Sequence, residues 1–120
     1  MDRRAEPRRG ARPRTRAVAG VRARVVETRG PGDAARLVAA RIRDGDRQFL
    51  AIGGDGTVHE VANGVLASGE RCTLAAAPLG TGNDWARGLA VPRAPAALAR
   101  MLARGHRRSL DAGRVEYSTP

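Results

Sequence analysis

The sequence contains no lysine, only one cysteine, only three aromatic residues and no long apolar segment. A Walker A loop and a protein kinase fold each require a lysine, so both are excluded. The single Cys72 cannot form an internal disulfide, which favours the cytoplasm. The longest uncharged run, residues 72–83, is shorter than the ~20 apolar residues of a membrane-spanning helix. The N-terminal residues also lack the apolar segment of a signal peptide, so we expect a cytoplasmic protein.

Arginine supplies all 22 basic residues, and it is spread unevenly. Residues 1–47 carry 14 arginines against six acidic residues, and residues 93–120 carry six against two, whereas residues 51–92 carry two against four. Residues 1–20 have seven arginines and no apolar periodicity, which predicts a disordered tail. No aromatic residues interleave with these arginines as base stacking requires, so we expect no nucleic-acid partner. A basic surface can also attract an anionic membrane.

From residue 21 onwards, segments typical of strands alternate with segments typical of helices. The predicted strands are residues 21–28, 48–52, 73–78 and 109–115, and the predicted helices begin near Asp33, Val58, Asn83 and Pro95. The first helix has one apolar face and ends at Gly45, and the third ends before Pro92. This alternation predicts an α/β domain over residues 21–120, with a mostly parallel sheet and right-handed crossovers.

Two glycine-rich loops follow neighbouring strands of this sheet, GGDGT at residues 53–57 and GTGND at residues 80–84. Each precedes a helical pattern, so we expect both at the carboxyl edge of the sheet, where ligands bind. Glycine lets backbone N–H groups approach an anion there, and a helix N-terminus adds partial positive charge. Thr57 with Glu60, and Thr81 with Asp84, have the spacing of a capping box. Each threonine is interpreted either as a helix cap alone or as a cap that also contacts phosphate.

Three segments together resemble the diacylglycerol kinase catalytic domain: IGGDGTVHEVANGV (residues 52–65), APLGTGNDWARGLAVP (77–92) and LDAGRV (110–115). This family of lipid kinases is more distantly similar to NAD kinases and phosphofructokinases. The resemblance implies a three-layer, doubly wound N-terminal domain that is incomplete in this chain. It implies ATP-dependent transfer of a phosphoryl group to a lipid hydroxyl of the diacylglycerol type, with Mg²⁺, in phospholipid biosynthesis. The implied partners are ATP and a lipid acceptor at the membrane surface, to which the cytoplasmic protein would bind peripherally.

The resemblance also implies which residues form the nucleotide site. The implied nucleotide-contacting residues are Thr28, Gly53, Gly54, Asp55, Gly56, Thr57, Val58, His59, Glu60 and Thr81. Asp55, Asp84 and Asp111 match carboxylates that support a network of metal and water. No residue of the chain matches the catalytic base, and Asp55 is the candidate left for a catalytic role.

Three departures from the family pattern leave alternatives open. His59 stands where bacterial members most often have asparagine, the opening strand with its Asn-Pro turn has no counterpart, and the sequence stops before the β-rich second domain. We therefore expect an N-terminal fragment that is inactive by itself. The alternatives are an enzyme similar to NAD kinases, a non-catalytic nucleotide-binding remnant and a basic nucleic-acid-binding module. Oligomeric state is not predicted.

Overall fold

The structure, a computed structural model, describes residues 21–120 in full and residues 14–18 by their backbone. Its elements in chain order are β1 (Arg14–Val18), β2 (Val21–Val25), α1 (Asp33–Arg43), β3 (Gln48–Gly53), α2 (Asp55–Ser68), β4 (Thr73–Pro78), α3 (Asp84–Gly88) and α4 (Pro95–Arg104). Strands β3 and β4 pair in parallel, and β1 pairs antiparallel with β2. The predicted α/β class and the parallel pairing of β3 with β4 are confirmed, but β2 lies in a separate pair with β1 and does not join the parallel strands. None of the described helices has the length and apolar character to cross a membrane.

The core is built from small apolar side chains of β3, β4, α1 and α2. Ala51 and Ala76 lie side by side in the parallel ladder, and both are almost completely buried. The predicted apolar face of α1 is confirmed, because Ala34, Val38 and Ile42 are its buried residues. This core fixes the two helices against each other and leaves the carboxyl ends of β3 and β4 at one edge.

Gly64 sets how closely α1 and α2 approach. A Cβ at this position would lie 2.9 Å from the carbonyl oxygen of Ala35 and 3.1 Å from two side-chain atoms of Val38. The glycine therefore lets the backbone of α1 pack directly on α2, and α2 in turn packs on β3. Helix packing thus depends on a missing side chain as well as on buried ones.

The structure corrects three predictions about strands. Residues 14–18, assigned to a disordered tail, form β1, because their backbone pairs with β2; the rest of the predicted tail lies outside the described residues. The first predicted strand ends at Val25 instead of residue 28. Residues 109–115 form no strand, since no described strand pairs with them, and Leu110 and Val115 are 51% and 82% exposed.

Candidate functional site

The two glycine-rich loops touch each other through their backbones. A Cβ on Gly54 would lie 3.1 Å from Cα of Gly80. A Cβ on Gly80 would overlap Cα of Gly54 and lie 3.0 Å from its nitrogen. The contact exists because β3 and β4 pair in parallel, so that the loops after both strands leave the same edge of the sheet. The two loops that the sequence predicts as neighbours therefore form one packed unit.

Asn83 holds the second loop in shape. Its side-chain oxygen accepts a hydrogen bond from the N–H of Gly80 at 2.9 Å, and its amide nitrogen donates to the carbonyl oxygen of Gly80 at 2.7 Å. The residue is 3% exposed and has a φ of +56°, a conformation that asparagine tolerates better than most residues. Asn83 thus stabilises the turn against which the first loop packs.

Asp55 connects the first loop to the start of α3. Its two carboxylate oxygens accept hydrogen bonds from the backbone N–H groups of Asp84 and Trp85, both at 3.1 Å. These two backbone hydrogen bonds hold the pKa of Asp55 below its ordinary value. The carboxylate thus caps a helix that is distant in sequence. The predicted capping box between Thr81 and Asp84 is therefore wrong. Asn83 is the N-cap of α3, and its side chain makes no capping hydrogen bond to this helix.

Glu60 caps another helix in the same way. Its carboxylate accepts hydrogen bonds from the N–H of Gly32 at 2.9 Å and from the N–H of Ala34 at 3.2 Å, at the start of α1. The predicted capping box between Thr57 and Glu60 is therefore wrong. Gly54 is the N-cap of α2 and has no side chain to offer, and the Glu60 carboxylate is engaged by α1 instead.

The N-terminus of α2 is left without a cap of this kind. Val58 donates its N–H to the carbonyl oxygen of Gly54, but the N–H groups of residues 55–57 donate to no acceptor among the described residues. Apart from its chain neighbours and the backbone of α2 itself, no heavy atom of the described residues lies within 4 Å of the position that a Cβ of Gly56 would take. The hydroxyl oxygen of Thr57, in the first turn of the same helix, lies 2.6 Å from the position that a Cβ on Gly53 would take. Backbone donors and one hydroxyl thus fit an anionic group such as phosphate.

The other predicted nucleotide-contacting residues fall into different environments. Val58 is a core residue, 7% exposed, so its side chain is not free for a ligand. His59 is exposed, and its Nε2 lies 3.0 Å from the side-chain nitrogen of Asn63 one turn further along α2. Thr28 is exposed in the loop between β2 and α1, and Thr81 is exposed in the loop after β4. Neither threonine has a hydrogen bond to the α2 N-terminus.

Two of the three predicted metal-supporting carboxylates come together. A Cβ on Gly82 would lie 3.1 Å from a carboxylate oxygen of Asp55 and 3.9 Å from a carboxylate oxygen of Asp84. The Asp84 carboxylate also forms an ion pair with Arg87. Asp111 is exposed in the irregular C-terminal segment, and the described residues contain no group of three potential metal ligands. Asp55 and Asp84 fit a hydrated Mg²⁺, which keeps several waters and needs one or two carboxylates.

Asn83 is the residue whose role sequence reasoning missed. The sequence pattern places it only at the start of a helix, although asparagine within a glycine-rich loop is a known signal for positive φ. The pairing of Asp55 with α3 has no such signal, since the two partners are 29 and 30 residues apart.

Comparison with known proteins decides between the kinase families that share these loops. The family model of the diacylglycerol kinase catalytic domain matches residues 10–115. The chain belongs to this family. The match covers most of the chain, including both glycine-rich loops, and favours the lipid kinases over the NAD kinase alternative.

Curated relatives and solved structures agree with the family match. "Probable lipid kinase YegS-like" from Pseudomonas aeruginosa PAO1 is 40% identical over 70% of this chain and 28% of its own length. The protein of that name from Klebsiella pneumoniae is 33% identical over 73% of this chain and 30% of its own length. A diacylglycerol kinase from Bacillus anthracis has a TM-score of 0.59 at 37% identity, over 66% of this chain and 29% of that one. The chain therefore spans less than a third of these relatives' length.

Proposed function

We propose that this chain forms the nucleotide-binding part of an ATP-dependent lipid kinase, with a lipid hydroxyl of the diacylglycerol type as acceptor. ATP would supply the transferred phosphoryl group. The N–H groups of residues 55–57 and the hydroxyl of Thr57 would hold its phosphates at the start of α2. The protein would act in the cytoplasm and reach its acceptor at the membrane surface.

One observation carries the proposal, the unequal capping of the three helices at this edge. Glu60 caps α1 and Asp55 caps α3, and both are residues of α2. The N-terminus of α2 itself keeps its free donors and its share of the helix dipole. The two acidic side chains of α2 are thus hydrogen-bonded to other helices, which reduces their repulsion of a phosphate.

Asp55 and Asp84 would support a hydrated Mg²⁺ beside these phosphates, with Asp55 oriented by the hydrogen bonds that it accepts from α3. These hydrogen bonds also engage both oxygens of Asp55, so it is poorly suited to the role of catalytic base. Asp111 would need a different position of the C-terminal segment to join them. We therefore expect the 120-residue chain to bind nucleotide but not to phosphorylate a lipid by itself.

The test is calorimetric titration of the chain with Mg-ATP, using Thr57→Val and Thr57→Ser as matched variants. Loss of a hydrogen bond to a charged group costs about 1.5–3 kcal/mol, so valine should weaken Mg-ATP binding about 10- to 100-fold. Serine keeps the hydroxyl and should bind nearly as wild type does. Because Thr57 caps no helix, both variants should unfold within about 0.5 kcal/mol of the wild type.

Two results would count against the proposal. Failure of the folded wild type to bind Mg-ATP would remove the nucleotide site, and unchanged binding by Thr57→Val would remove Thr57 from it. A separate activity assay supplies Mg-ATP together with diacylglycerol in mixed micelles, or together with NAD. Turnover of the lipid would show that the catalytic base lies within this chain, and turnover of NAD would favour the NAD kinase alternative. Nucleotide binding without turnover is the expected outcome.

A further inference from the structure

The segment around α4 is basic without interruption. Residues 85–110 contain six arginines and no acidic residue. Arg87 pairs with Asp84, but the other five make no ion pair within the described part of the chain: Arg93, Arg100, Arg104, Arg107 and Arg108. By contrast, Arg36 and Arg41 of α1 pair with neighbouring carboxylates. The positive charge of α4 therefore remains available to an external anion.

Helix α4 also carries an apolar groove beside these arginines. None of its residues is fully buried, although Leu98, Met101 and Leu102 are half-buried. A groove of about 340 Å³ runs along one side of the helix. Its lining combines apolar and basic residues: Ala90, Pro92, Ala97, Met101, Arg100, Arg104 and His106. Guanidinium groups thus border a surface that an apolar chain can contact.

The combination of arginines and apolar residues in the groove indicates which of two kinds of polyanion, nucleic acid or anionic lipid, it fits. A nucleic acid offers phosphates and stacking bases, but no phenylalanine, tyrosine or tryptophan lines the groove. An anionic phospholipid offers a phosphate that the planar guanidinium binds well and an apolar portion that fits beside Met101. The chemistry of the groove therefore favours the lipid.

We propose that α4 with Arg107 and Arg108 is a docking surface for a bilayer that contains anionic phospholipid. Strand β2, which α4 contacts, adds exposed Arg22 and Arg24. The proposal rests on the proposed function only in choosing a lipid surface as the physiological partner. Docking needs neither nucleotide nor acceptor, so it can be measured separately from the nucleotide site.

The experiment is co-sedimentation of the full chain with lipid vesicles in the absence of nucleotide. One set of vesicles contains phosphatidylcholine alone, and the other contains phosphatidylcholine together with phosphatidylglycerol. The double variant Arg100→Gln/Arg104→Gln removes two charges beside the groove, and glutamine keeps the helix propensity. Its matched control is Arg43→Gln/Arg71→Gln, which removes two exposed charges away from α4. Each basic residue at an anionic surface contributes about 1 kcal/mol, so the first variant should bind anionic vesicles about 30-fold more weakly. The control should change much less, because salt screens distant charges.

A third variant, Met101→Ser, tests the groove without changing the charge. It should weaken binding to anionic vesicles and leave binding to single-stranded RNA, measured in parallel, unchanged. Circular dichroism establishes that each variant is folded. Equal losses in the two double variants would overturn the proposal in favour of a general effect of net charge. Unchanged vesicle binding by Met101→Ser, with RNA bound more tightly than vesicles, would overturn it in favour of a nucleic-acid surface. Failure of the wild type to bind anionic vesicles would overturn it outright, whatever its affinity for Mg-ATP.

Discussion

Replacement of Gly80 by alanine tests the contact between the two glycine-rich loops directly. The added methyl group would overlap Cα of Gly54 and approach both the nitrogen of Gly54 and the side-chain oxygen of Asn83 to 3.0 Å. The first two atoms belong to the backbone, and the third is fixed by its own hydrogen bond. No side chain can rotate away, so one of the loops must move.

The size of the effect follows from the cost of overpacking a well-packed site, about 1–3 kcal/mol. A domain of this size changes its melting temperature by about 4–8 °C for each kcal/mol, so a cost of about 2 kcal/mol lowers it by about 8–16 °C. The matched control is Gly56→Ala, because a Cβ at Gly56 would meet no described atom within 4 Å outside its chain neighbours and the backbone of α2. Gly56 lies within α2, where alanine is favoured over glycine by about 0.5–1 kcal/mol.

Thermal and urea unfolding followed by far-ultraviolet circular dichroism measure both variants. We expect Gly80→Ala to be less stable than the wild type and Gly56→Ala to be equally or more stable. Displacement of the loops should also weaken Mg-ATP binding by Gly80→Ala. An unchanged melting temperature in Gly80→Ala, or an equal loss in both variants, would refute the direct contact between the loops.

Three further predictions concern α2. Glu60→Ala leaves two N–H groups at the start of α1 without their acceptor and should lower the free energy of urea unfolding by about 1–3 kcal/mol. The control Glu70→Ala, at an exposed ion pair, should change it by no more than about 0.5 kcal/mol. Equal effects would argue against the cap. Because the pKa of Asp55 is lowered from 3.8 in the folded state, its ionised form stabilises the fold above that pH and loses this effect as the pH falls through the folded value. The stability difference between wild type and Asp55→Asn should therefore shrink on acidification, and a constant difference would contradict this. Gly64→Ala should destabilise by about 1–3 kcal/mol in thermal unfolding, since its methyl group would meet the carbonyl of Ala35, and a neutral result would show that α1 can move away.

The sequence predicts the helices well because their periodicity is local. The spacing of Ala34, Val38 and Ile42 identifies the buried face of α1 without knowledge of its partner. The two glycine-rich loops were also predicted as neighbours, since the parallel order of β3 and β4 follows from the intervening helix. Local pattern and simple topology therefore suffice for this part of the fold and site.

The sequence does not predict hydrogen bonds and strand pairings between residues that are far apart in the chain. Glu60 fits a capping box with Thr57, yet its carboxylate is bound by the start of α1, and no spacing rule reveals that competition. Residues 109–115 have the apolar pattern of a strand but no described strand beside them, so the pattern alone does not produce one. Residues 14–18 lie in an arginine-rich stretch without apolar periodicity, so the sequence does not indicate that they pair with β2.

The backbone contact between Gly54 and Gly80 has a consequence for the construction of chimaeras from related kinases. A side-chain contact can be restored by a compensating substitution, but neither of these residues has a side chain to shorten. Asp55 also links the two loops, because its carboxylate belongs to the first loop and accepts hydrogen bonds from the N–H groups of Asp84 and Trp85, at the end of the second. The two loops should therefore transfer between proteins only as a pair, together with the strands that set their separation.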